Sequence, residues 1–109
     1  MSITYFTKVQ NEVEKWLVDL GFRVKSEVDV EQYRVDLAVS ELDMVVEIDG
    51  PSHRKLKAEG NLITSESPQM SKRDKLVLEY YPNGVFHIPV NIDEETFKTV
   101  FMDIIKDFD

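Results

Sequence analysis

Met44-Val45-Val46-Glu47-Ile48-Asp49, closed by Gly50-Pro51, constrains this chain more than any other stretch. Its apolar, β-branched character reads as a central strand. Residues i and i+2 of a strand share a face. The carboxylates of Glu47 and Asp49 therefore lie on one side, roughly 7 Å apart, while Val46 and Ile48 fill the other. Whatever sheet forms has a charged edge inside its apolar middle.

The remaining elements arrange themselves around that strand. Val9, Val13, Trp16, Leu17 and Leu20 follow one helical stripe, and Gly21 stands where a C-terminal cap would end it. Phe22 and Val24, then Val28 and Val30, alternate with polar residues as a half-buried strand, bulged near Ser26. In Tyr33–Val39 the large apolar residues take every odd position, which turns Asp36 away from the apolar row. Ser40–Asp43 is a short connection into Met44–Asp49.

His53–Ser71 has weak periodicity and is long for a loop, as functional or mobile segments are. Leu76, Val77 and Tyr80 place a helix over Lys72–Tyr81, Pro82-Asn83-Gly84 breaks it, and Val85–Val90 is a last strand. Phe97, Val100, Phe101, Ile104, Ile105 and Phe108 form a terminal helical stripe, with Asp93 as its cap and Ile92 stapling onto Phe97. The expected order is α-β-β-β-α-β-α in a single domain spanning 1–109, an α/β (α+β) sandwich.

Composition removes several chemistries. With no cysteine there is no disulfide, thiolate zinc site or cysteine nucleophile, so any metal must be held by oxygen or imidazole. No apolar run approaches the ~20 residues of a membrane span, and the first residues lack the order of a signal peptide, so a soluble cytoplasmic protein is expected. The formal charge of −8 argues at first against a polyanionic partner. Between Gly50 and Tyr80, however, six basic residues outnumber four acidic ones, a local charge of +2 against −10 for the remainder. If nucleic acid binds, Arg54, Lys55, Lys57, Lys72, Arg73 and Lys75 are the candidates to hold its phosphates.

Asp36, on the strand next to Glu47 and Asp49, can bring a third carboxylate to them. Such a cluster persists only with a cation, an Arg or Lys, or a shared proton to compensate it. A divalent hard cation is the natural candidate, and His53, just past the Gly50-Pro51-Ser52 turn, could manage a proton at neutral pH. With a metal-bound water, these residues would make a phosphodiester-hydrolysing site. The plainer alternative is a solvated sheet face whose acids are matched by Arg or Lys.

Tyr33-Arg34-Val35-Asp36-Leu37, Val45–His53, Lys72-Arg73-Asp74-Lys75-Leu76 and Gly84–Val90 together resemble a RAP domain over roughly Glu12 to Val90. RAP domains are similar to the very-short-patch-repair-like branch of the PD-(D/E)XK nucleases. The resemblance implies an αβββαβ restriction-endonuclease-like core, here followed by a C-terminal amphipathic helix. It also implies Mg²⁺ or Mn²⁺ on Asp36, Glu47 and the Ile48 carbonyl, with Asp49 standing where the superfamily has a lysine. His53 would take part of that lysine's work, and Glu12 is one option for the helix-one glutamate, beside Glu14 and Gln10.

The resulting expectation is a metal-dependent nuclease for RNA or DNA, RNA being favoured by the resemblance, with a homodimer or partner protein completing the groove. The alternatives are a non-catalytic RNA-binding module and a protein-interaction domain presenting its acidic remainder.

Overall fold

The computed structural model describes residues 2–51 and 61–108. Helix α1 (Ser2–Asp19) leads into β1 (Lys25–Val30), β2 (Tyr33–Val39) and β3 (Met44–Asp49), with a 3-10 turn at Ser40–Leu42. There follow β4 (Leu62–Ile63), α2 (Lys72–Tyr80), β5 (Gly84–Pro89) and α3 (Glu94–Ile105). Among the described residues this is a small α+β domain, a five-strand mixed sheet with three helices. The strand order is β1-β2-β3-β5-β4. The first three strands form an antiparallel meander, and β5 runs parallel to β3 after the chain crosses through α2.

Both ends of the helices are made as their residues dictate. Gly21, at φ +100°, takes the left-handed position after α1. The N–H of Gly21 donates to the Val18 carbonyl and that of Phe22 to the Leu17 carbonyl, a Schellman closure. Asp93 caps α3 by accepting from the Thr96 N–H at 2.8 Å, as its position before Glu94 and Glu95 leads one to expect.

The sheet is covered on both faces. On one, Val13 and Leu17 of α1 meet Leu37, Met44, Val46, Phe86 and Ile88 from the strands, and Phe97 and Phe101 from α3. On the other, Val77 and Leu78 of α2 cover Val30, Val35, Ala38, Val45 and Val85.

Three expectations are corrected. The first strand begins at Lys25, with Phe22 and Val24 as apolar lead-in against the large cluster. The irregularity expected near Ser26 is Glu27 at φ +53°, and the pairing on either side of it keeps one register without an inserted residue. An extra strand, β4, pairs with β5 inside the stretch read as loop. Its close approach depends on Gly84, where a Cβ would stand 2.7 Å from Leu62 Cδ1 and 3.1 Å from the Ile63 carbonyl oxygen. The odd residues of β2 do not share one face either. Val35 packs with the α2 cluster while Leu37 and Val39 belong to the other, so the strand rolls over at Asp36.

Candidate functional site

That roll opens the sheet. The β2–β3 ladder pairs Val39 with Met44, Ala38 with Val45 and Leu37 with Val46, and there it stops. Beyond this point the two strands close on each other through side chains. The Asp36 N–H donates to Glu47 Oε2 at 2.7 Å, and the Ile48 N–H donates to Asp36 Oδ2 at 2.8 Å. Each carboxylate thus satisfies a backbone donor that the broken ladder leaves behind. Because the N–H and C=O of one extended residue point to the same side, the Ile48 carbonyl also faces this fork.

Arg73, in the first turn of α2, crosses the opening. Its Nη2 donates to the Arg34 carbonyl at 2.6 Å, and its Nη1 forms an ion pair with Glu47 Oε1. The guanidinium carbon lies 6.0 Å from the centre of the Tyr33 ring. Glu47 is 2% exposed, and its Oε1 has the charge of Arg73 nearby but no hydrogen bond of regular geometry. Burial pushes the Glu47 carboxyl above the usual range. The Asp36 amide and the Arg73 guanidinium act against that shift, and the Asp36 charge adds to it.

A second charged array adjoins the first. His87 of β5 sits in register with Glu47. Its Nδ1 faces Asp49 Oδ2 at 3.1 Å, and its Nε2 faces Asp74 Oδ2 at 2.8 Å. Asp74 is buried in the first turn of α2, whose N-cap Ser71 accepts from the Asp74 N–H at 3.0 Å. Burial alone would lower the His87 pKa, but Asp49 and then Asp74 outweigh it and raise the imidazole to about 9.

The structure therefore brings together Asp36, Glu47 and Ile48, sets Asp49 beside them at the more exposed end of β3, and adds Arg73 as their counter-charge. The carboxylates of Asp36 and Glu47 interlock across the gap between strands instead of standing side by side on one face. Lys72 and Lys75 are exposed on α2 and line a shallow groove of ≈ 290 Å³ with Gln32 and Tyr33. Arg73, read from sequence as a phosphate contact, turns inward to Glu47. Glu12 is exposed on α1, the helix of the opposite layer, and is not brought to the acids. His53, Arg54, Lys55 and Lys57 lie outside the described residues.

Sequence reasoning passed over His87 and Asp74. Within the last strand His87 has no local mark, because its pairing with Glu47 comes from a parallel register. Asp74 resembles any acid in a helix's first turn.

Among the described residues no group of three or more His, Asp or Glu side chains converges as metal ligands. The two carboxylates are instead held by the Asp36 and Ile48 N–H groups, with Arg73 as the counter-charge of Glu47. Also among the described residues, no helix is long and apolar enough to cross a membrane. Compared with protein families, with curated proteins and with solved structures, the chain shows no match.

Proposed function

We propose that this chain is a metal-dependent phosphodiesterase domain acting on nucleic acid, with the restriction-endonuclease-like core that its resemblance to RAP domains implies. One observation carries the reading: at the point where the central ladder opens, the Glu47 carboxylate accepts from the Asp36 N–H, the Asp36 carboxylate accepts from the Ile48 N–H, and the guanidinium of Arg73 lies against Glu47. Two carboxylates and a backbone carbonyl are the kind of oxygen donors that Mg²⁺ or Mn²⁺ take, since these ions commonly use only one or two protein carboxylates and fill the rest with water or phosphate. In the chain as it stands the Glu47 Oε1 faces Arg73, which the ion would have to displace. Such an ion, held by Asp36, Glu47 and the Ile48 carbonyl, would polarise a phosphoryl oxygen and acidify water. Asp49, exposed at the end of β3, would accept a hydrogen bond from the attacking water. Lys72 and Lys75 supply positive charge for the flanking phosphates.

Arg73 also supports a second reading. Because it already neutralises Glu47, the acids form a complete structural cluster without a metal, as a non-catalytic RNA-binding module would have.

Arg73→Gln separates the two. Removing one partner of a buried ion pair costs about 3–5 kcal/mol, because the other charge is left uncompensated. In the first reading Mn²⁺ restores a large part of that loss and stabilises the variant more than the wild type, while Glu47→Gln abolishes the metal response. In the second, urea denaturation of Arg73→Gln is the same with and without Mn²⁺. Cleavage assays on single-stranded and duplex RNA and DNA then test turnover directly.

A further inference from the structure

The Asp49–His87–Asp74 array has a geometry that packing alone does not require. Both ring nitrogens of His87 face a carboxylate, one on β3 and one on α2. A neutral imidazole has a single N–H and would turn its lone pair on one of the two anions. Only the imidazolium donates to both. The three members are graded in exposure: the Asp74 side chain is 9% exposed, His87 23% and Asp49 53%. The charge is therefore anchored inside and ends at a carboxylate open to solvent, one residue beyond Ile48 and two beyond Glu47.

We propose that His87 is a positioning residue: braced by Asp74, its imidazolium fixes the Asp49 carboxylate in the orientation that accepts a hydrogen bond from the water attacking a phosphodiester. This rests on the hydrolytic reading above. In that reaction the water oxygen forms the new P–O bond and the ester P–O bond breaks. A water proton passes by way of Asp49 to solvent, and the leaving sugar oxygen takes a proton from bulk water. His87 touches none of the reacting atoms. Its work is to hold one acid of the site in a single orientation, where free rotation would otherwise turn the carboxylate towards solvent.

The test is a double-mutant cycle with a spectroscopic readout. In ¹⁵N NMR of the wild type at pH 7, both His87 nitrogens are expected to be protonated, and Asp49→Asn is expected to shift Nδ1 while leaving Nε2 on Asp74. A neutral His87 with one bare nitrogen overturns the proposal whatever the activity.

In cleavage assays with Mg²⁺, His87→Gln should lower kcat by roughly 10- to 100-fold with KM nearly unchanged. The same substitution in an Asp49→Asn background should cost almost nothing more, since a residue acting through Asp49 has no further effect once Asp49 is altered. Losses that multiply, or a His87→Gln form with full turnover, overturn the positioning role while leaving the hydrolytic reading intact. A wild type that cleaves neither RNA nor DNA overturns both. If His87→Gln does not fold, Asp74→Asn, which keeps the imidazole and weakens its brace, gives the same kinetic readout.

Discussion

The two faces of the sheet are built on opposite principles. The face under α1 and α3 is apolar throughout: Phe86, Phe97 and Phe101 are fully buried, and Phe97 and Phe101 stack with ring centres 5.4 Å apart. The face under α2 is smaller and contains both of the buried charged residues among those described, Glu47 and Asp74. Buried carboxylates stabilise a fold weakly at best, because desolvation opposes their pairing. The difference teaches a division of labour in which the aromatic layer supplies stability and the α2 layer holds an arrangement of charges that would not fold by itself.

Breaking the aromatic layer should produce the largest effect. Phe97→Ala removes a side chain that meets Trp16, Phe86 and Phe101, and a cavity of that kind costs about 3–5 kcal/mol. Urea denaturation followed by Trp16 fluorescence measures it. A loss under about 1 kcal/mol would mean that the stability lies elsewhere and that the two faces do not differ as described.

The charged layer should show itself through pH. The His87 pKa is raised to about 9 in the folded protein, against about 6.5 for an unperturbed histidine in the unfolded chain. The folded state therefore keeps a proton that the unfolded state has released. The stabilisation is fully present below about pH 6.5 and is lost as pH rises through about 9, amounting to at most about 3 kcal/mol. Stability measured between pH 6 and 9.5 should fall in the wild type and lose that slope in His87→Gln. In Phe97→Ala the same slope should persist on a lower baseline. A wild-type profile that is flat over this window would refute the ion-pair description of His87.

The same division explains what could be read from the sequence. The apolar layer was legible because it is written in local periodicity: the stripe from Val9 to Leu20, the Gly21 cap, the Asp93 cap and the stripe from Phe97 to Phe108 each depend on neighbours within a turn or two. Glu47 and Asp49 were legible for the same reason, since they share a strand, whereas the alternation that set Asp36 beside them on one face breaks at Asp36 itself. Their compensation was legible only as a class. Like charges at that spacing require a cation, but nothing local assigns the task to Arg73, which is brought in by the crossover from β3 through α2. His87 and Asp74 are harder still, because their partnership arises from a parallel strand register and a helix docking angle together. The two residues of β4 have no period at all, and their place is set by the missing side chain of Gly84.

The smallest expected effect sharpens the boundary between the layers. Ser71 caps α2, and its hydroxyl oxygen accepts the N–H of Asp74, the residue that braces His87. Ser71→Ala removes that acceptor at a cost of about 1 kcal/mol, a typical value for a lost N-cap. Because the first turn of α2 also carries Arg73, the loosening should be felt at the fork and at His87 before it is felt in the core. Amide exchange should accelerate across Lys72–Tyr80 beyond the change in global stability, while amides of α1 and α3 follow the global value alone. The His87 Nε2 resonance should broaden or shift with little change at Val13, Leu17 or Phe101. Equal acceleration in all three helices would show that the layers open as one cooperative unit, and the charged face would then be no more independent of the apolar one than any part of a single core.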